Sequence, residues 1–162
     1  MVVGPKGGKA KSLVTKAGGV PPLSSPILWT STKRLVLFIS QIQAPDTREG
    51  IYIWTTCRQF LNGDSTGRLI EYNTKTKKSK ILLKGMAFAN GVALSKSKRY
   101  LLVAETGTAR IMRYWLKGNK ATKVELFSKL KGMPDNIKRN KRGEFWVATA
   151  ADSGLLTKMC NF

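Results

Sequence analysis

Side chains able to do acid–base, nucleophilic or metal chemistry are scarce in this sequence. There is no His among the 162 residues. That removes Ser-His-Asp triads, Cys-His dyads, a histidine general base and the usual His-containing zinc sites. The two cysteines, Cys57 and Cys160, stand far apart and match no metal-ligand spacing, so neither a disulfide framework nor a redox compartment is read from them. Cations are abundant instead: 29 Lys plus Arg face 9 Asp plus Glu, a formal net charge of +20. They gather in clusters at 6–16, 75–84, 96–99 and 138–142. Clustered cations release counterions from a polyanion, so a basic surface for an acidic partner is one reading. Solvated turns are the other, because three of the clusters fall between apolar runs, where polar loop residues belong. With no recognition motif beside the charge, no specific nucleic acid is expected.

The elements that must carry these residues are short. Hydrophobic residues make up 42% of the chain and aromatic residues 9%, which suits one globular unit with a real core. The longest strongly apolar run, Leu35 to Ile39, is far below the 18 or so residues of a spanning helix, so no membrane span is expected. The first residues lack the apolar stretch of a signal peptide. From Gly67 to Ala148 strand-sized runs alternate with polar turns, among them Arg68 to Tyr72, Tyr100 to Ala104, Arg110 to Leu116 and Glu144 to Ala148.

The runs also repeat. Leu83-Lys-Gly-Met86 returns as Leu130-Lys-Gly-Met133, Asn90 has a counterpart in Asn136, and Arg68 to Tyr72 has one in Arg110 to Tyr114. These offsets lie between 42 and 47 residues. A period in the forties with about four short strands per unit is that of a β-propeller blade. The fold class is therefore all-β, a partial propeller of about three blades whose ring is not closed, since complete rings have four or more blades. Within that pattern Glu105-Thr-Gly107 reads as a hairpin turn, and Tyr114, Trp115, Phe145 and Trp146 read as packing between blades. Asn90-Gly91 and Pro134-Asp135 are also common turn pairs.

Several segments resemble one known family. Gly63-Asp-Ser-Thr-Gly-Arg-Leu-Ile-Glu-Tyr72, Phe88-Ala-Asn-Gly-Val-Ala-Leu94, Val103-Ala-Glu-Thr106, Gly132-Met-Pro-Asp-Asn-Ile137 and Gly143-Glu-Phe-Trp-Val-Ala148 are similar to the conserved region of plant strictosidine synthase-like proteins. These are six-bladed propellers related to calcium-dependent phosphotriesterases and paraoxonase-type hydrolases. The resemblance divides the chain into 1–22, the end of an upstream blade; 23–61, a degenerate segment; 62–148, about two blades of the conserved region; and 149–162, a divergent tail. Codons for Ile39 to Glu49, read two bases later, permit FTDTSTRYQR, the string the family carries before Gly-Asp-Ser-Thr-Gly. On that basis residues 23–55 are expected to be out of frame, with a poor strand pattern.

The resemblance implies a small-molecule substrate. It also implies calcium in the intact fold, held by a Glu and by Asn and Asp residues from successive blades. By motif position the counterparts here are Asn90, Asp135 and Asn136. Hard amide and carboxylate oxygens suit that ion, but two or three of them make a weak site against the six to eight it takes. The family's first-blade Glu is expected to lie before Met1. For the condensation of an amine with an aldehyde, the family's acid–base Glu belongs to the last blade, so this chain is expected to be inactive. The resemblance implies a secretory destination: endoplasmic reticulum, vacuole or apoplast. It names no partner protein.

Overall fold

The computed structural model describes residues 63, 65–150 and 152 with their side chains, and the backbone of Ala151 and of four earlier strands. Cys57, Cys160 and the most N-terminal lysine cluster lie outside the residues whose side chains are described. Twelve strands are present among the described residues: β1 (Val2–Gly4), β2 (Gly7–Lys11), β3 (Ser25–Thr32), β4 (Leu35–Gln41), β5 (Gly67–Asn73), β6 (Ser79–Met86), β7 (Ala89–Leu94), β8 (Tyr100–Glu105), β9 (Arg110–Trp115), β10 (Val124–Lys129), β11 (Gly132–Arg139) and β12 (Phe145–Asp152). The one helical turn, Thr106–Thr108, joins β8 to β9.

The strands form two four-stranded sheets, β3-β4-β5-β6 and β7-β8-β9-β10, flanked by the two-stranded sheets β1-β2 and β11-β12. Every pairing is antiparallel and each sheet runs in sequence order. β7 is the first strand of its sheet, and it neighbours β3 and β4 on one side and β11 on the other. First strands side by side and later strands stepping outward are the arrangement of propeller blades. The chain is thus a partial β-propeller, and the described sheets do not close into a ring. No helix among the described residues is long and apolar enough to cross a membrane.

The alternation of side chains explains why the middle blade reads as nearly unbroken hydrophobic sequence. Successive residues of a strand face opposite sides of the sheet. Leu101 and Val103 pack with Leu69, Met86, Val92 and Tyr114 in one core, between the first and second four-stranded sheets. Leu102 and Ala104 pack with Ala93, Ile111 and Ile137 in the other, between the second sheet and β11-β12. All four of these β8 residues are fully buried. A strand covered on both faces has no place for polar residues, and the polar/apolar alternation of a one-sided sheet is lost.

Three expectations are corrected here. Asn90-Gly91 and Pro134-Asp135 are not turns: they lie within β7 and β11, where both ladders are irregular, between Ala89 and Val92 and between Met133 and Ile137. The missing N–H of Pro134 and the interrupted ladder go together, since proline cannot donate to a regular pairing. Residues 25–32 and 35–41, where a poor strand pattern was expected, form β3 and β4, and β4 pairs with β5 in register from Leu35↔Asn73 to Ser40↔Arg68. Their runs of Ile, Leu, Trp, Val and Phe carry strand propensity whatever their origin. Trp146 is 71% exposed and so packs no core, while Tyr114 is buried and Tyr100 makes tilted ring contacts with both Trp115 and Phe145.

Because the strands alternate in direction, the connections fall at two ends of the blades. The β7–β8 and β9–β10 turns share one end, where Leu116 and Lys117 donate their N–H groups to the Arg99 carbonyl. The β11–β12 turn joins them there, since Arg139 Nε donates to the Leu94 carbonyl at 2.9 Å. β6 runs toward the opposite end, where Ala87 meets Glu105, so the β5–β6 turn lies at the first end as well.

Candidate functional site

The site is assembled at the contact of β7 with β11. Gly91 is required there for closeness: a Cβ on it would come 2.6 Å from the Ile137 nitrogen and 2.7 Å from the Asp135 carbonyl oxygen. Real Cβ atoms do not approach backbone so closely, and only a residue without one allows the two strands to touch. That contact sets Asn90, the residue before Gly91, beside the stretch containing Asp135 and Asn136. The three residues singled out from the sequence therefore lie on adjoining strands, Asn90 on β7 and Asp135 and Asn136 on β11.

Their surroundings differ. Asn90 is buried at 7% exposure, and its Oδ1 accepts no hydrogen bond from the protein. A buried amide oxygen without a donor costs about 1–3 kcal/mol, which a protein tolerates where the oxygen serves a ligand. Asp135 and Asn136 are half-buried, and Asn136 Nδ2 donates to Asp135 Oδ2 at 3.2 Å. That bond orients the Asn136 amide and leaves its carbonyl oxygen and one carboxylate oxygen of Asp135 for other partners. Among the described residues no three His, Cys, Asp or Glu side chains cluster as a metal site. The donor set is two amides and one carboxylate. All are hard oxygens and fit calcium, as part of a shell of six to eight.

One residue behind this site was read from sequence only as part of a turn. Glu105, the last residue of β8, is 2% exposed and its carboxylate is fully engaged. Oε1 accepts the backbone N–H of Ala87 at 2.7 Å; Oε2 accepts Thr108 Oγ1 at 3.0 Å and the Nε of Arg110. Burial pushes its carboxyl upward, but the bonds from Arg110, Ala87 and Thr108 together prevail and hold it below the ordinary value. The same pairing raises Arg110. Its neighbours continue the fastening: Thr106 N–H donates to the Phe88 carbonyl, Gly107 N–H to the Ala87 carbonyl, and Thr106 Oγ1 to the Pro134 carbonyl. The Glu105–Gly107 segment therefore grips both approaches to the site, the residues before Asn90 and the residue before Asp135. Its signal in the sequence was an acidic residue closing an unbroken apolar strand, since a buried carboxylate has to be paired.

With this geometry in view, comparison with known proteins is direct. A family model described as strictosidine synthase matches residues 52–119. Protein STRICTOSIDINE SYNTHASE-LIKE 10 of Arabidopsis thaliana is 45% identical over 163 aligned residues, covering 98% of this chain and 41% of the relative. The chain belongs to the strictosidine synthase-like family. Protein STRICTOSIDINE SYNTHASE-LIKE 13 from the same plant is 40% identical over 91% of the chain and 35% of its own length. The chain thus spans about two fifths of the curated family members it matches. Among solved structures, a gluconolactonase from Xanthomonas campestris superposes with a TM-score of 0.65 at 17% identity, over 87% of this chain and 46% of that one. Regucalcin from Agrobacterium tumefaciens, described as a calcium-binding protein, superposes at 0.50 and 15% identity, over 71% of this chain and 35% of that one. At such identities the likeness is one of fold, and it agrees with the blade arrangement of the strictosidine synthase-like chain.

Proposed function

We infer that Asn90, Asp135 and Asn136 form part of the calcium shell of a propeller hydrolase acting on esters or lactones. The observation that supports this reading is the buried Asn90 Oδ1 without a donor, on a strand whose next residue, Gly91, touches the backbone of the Asp135–Ile137 stretch. The lactonase and calcium-binding structures that share the fold support the same reading. When bound, calcium would polarise a substrate carbonyl and stabilise the oxyanion that develops on it. The chain's own contribution is positional: Asn136 Nδ2 steers Asp135, and Glu105 with Thr106 fixes the strands on which the donors sit.

Amine–aldehyde condensation finds less support in these residues. An acid–base carboxylate needs a pKa near the working pH. Glu105, the buried carboxylate beside this site, is shifted the opposite way and is committed to Arg110. The test is a calcium titration of the chain, read by its melting temperature. Calcium at about 100 times its dissociation constant should stabilise by about 2.7 kcal/mol, and a chelator should reverse the effect. An unchanged melting temperature at millimolar calcium, with the parent chain folded, would overturn the assignment.

A further inference from the structure

The two ends of the blades differ in charge in a way the metal-holding site does not explain. At the end opposite Glu105 the β5–β6 turn exposes Lys75, Lys77 and Lys78, and the β7–β8 turn exposes Lys96, Lys98 and Arg99. The β9–β10 turn adds Lys117, Lys120 and Lys123, and the β11–β12 turn adds Lys141 and Arg142, all exposed. Two carboxylates stand among them: Glu125, paired with Arg113 and Lys120, and Glu144, paired with Arg142. At the Glu105 end the charges are fewer and mixed, with Glu105 and Asp152 set among Arg68, Lys84, Arg110, Lys129 and Lys131. Among the described residues the cations are therefore concentrated at one end of the blades.

The turns are also firmly built. Asn73 Oδ1 accepts the N–H groups of Lys75 and Thr76, Ser95 Oγ accepts that of Tyr100, and Asn140 Oδ1 accepts those of Gly143 and Glu144. Such side-chain caps fix the backbone of a turn and leave its lysines free to move at their ends. Adjacent turns are in contact: a Cβ on Gly143 would lie 3.5 Å from Lys96, and one on Gly118 would lie 2.8 Å from the Arg99 guanidinium. Fixed tips from neighbouring blades make one broad charged surface.

We propose that this lysine face docks the protein on an anionic lipid leaflet, leaving the Asn90–Asp135 end turned to solvent. The chemistry of the face favours that partner over nucleic acid. Nine of its eleven cations are lysines, hydrated point charges suited to diffuse attraction. The four turns contain no aromatic residue and no helix to enter a groove; the rings at their bases, Tyr100, Trp115 and Phe145, are half-buried and engaged with one another, Arg113 and Lys120. The proposal is independent of the calcium assignment.

The experiment is co-sedimentation of the full chain with vesicles of phosphatidylcholine, with and without phosphatidylserine, at about 0.15 M salt. Binding is expected only when phosphatidylserine is present. Removing two charges with Lys75→Gln and Lys96→Gln should lower partition about thirty-fold. Lys84→Gln with Lys129→Gln, the same charge change at the opposite end, should leave it nearly unchanged. Lys75→Arg with Lys96→Arg should bind like the parent, and a loss there that matches the Gln pair would show damage to the fold and overturn the proposal. Equal losses from the two Gln pairs would overturn it by showing that net charge, not this face, is read. Equal binding to neutral vesicles, no binding, or full displacement by a single-stranded oligonucleotide at this salt would overturn it too, the last in favour of nucleic acid.

Discussion

Glu105 Oε1 accepts the backbone N–H of Ala87 at 2.7 Å, across 18 residues of sequence and from one four-stranded sheet to the connection leaving the other. A backbone donor bonded to a buried carboxylate is a stronger tie than a neutral pair. This one fixes where β6 ends and β7 begins, and hence where Asn90 stands. The second carboxylate oxygen takes Arg110 and Thr108, so the whole group is satisfied.

Truncating that group should therefore be costly. Glu105→Ala leaves the Ala87 N–H without its acceptor and Arg110 without its partner, and should destabilise by about 2–3 kcal/mol. Arg110 is 40% exposed and regains water, which keeps the loss below that of a fully buried pair. Glu105→Gln keeps an acceptor for Ala87 and should lose about half as much. Urea denaturation of the three proteins gives both numbers, and an unchanged midpoint in Glu105→Ala would remove the fastening role.

The same carboxylate sets an acid limit. Its folded pKa is below the ordinary value of 4.5, so the unfolded chain binds more protons in that range. Stability from Glu105 is complete above about 4.5 and is lost as pH falls through the lower folded value. Glu125 shifts the same way, through the Trp115 indole N–H first and then Lys120, but it is surface-lying and its share is screened by salt. Melting temperature measured downward from pH 6 in high salt should drop below pH 4.5, and Glu105→Gln should flatten that drop. An identical profile in the variant would sink the explanation.

The legible part of the fold was the part written in periodicity. Leu101 to Ala104 and the recurrence of Leu83 to Met86 at Leu130 to Met133 reveal strands and their repeat, because burial on both faces forces apolar residues in succession. What sequence hid was irregular strand. Pro134 and the Asn90-Gly91 pair carry turn chemistry, yet both sit in first strands whose ladders are interrupted. Tertiary contact decides there: Gly91 meets Asp135–Ile137 at a distance that no local propensity encodes. The site residues were legible through resemblance alone. Glu105 was missed because an acid before Thr-Gly looks like any solvated hairpin until its strand proves buried.

Gly91→Ala tests that contact. The added methyl meets backbone atoms of β11, which cannot rotate away as a side chain would. The strands must separate, at about 1–3 kcal/mol, the usual range for overpacking. Gly85→Ala is a useful comparison, since Gly85 has open space around it and a φ of +76°, so its cost comes from backbone conformation and not from a clash. If contact governs, Gly91→Ala should weaken calcium stabilisation as well as folding, whereas Gly85→Ala should affect folding only. Two variants with the same calcium response would separate the β7–β11 contact from the site.

Asn90→Leu makes the sharpest demand. The two side chains have the same number of heavy atoms and the same fork at Cγ, Leu being the bulkier, and the change removes a buried oxygen that has no donor in the protein. Replacing an unsatisfied buried polar group by an apolar one of similar shape relieves its desolvation cost, so the variant should be more stable than the parent by about 1 kcal/mol in calcium-free buffer. With calcium added the order should reverse, because the parent gains from binding and the variant has lost a ligand. A role confined to packing predicts no crossover: the variant would keep the same lead, or the same deficit, at every calcium concentration. Thermal melts of both proteins across a calcium series therefore decide whether Asn90 is held unpaired for the sake of a metal ion.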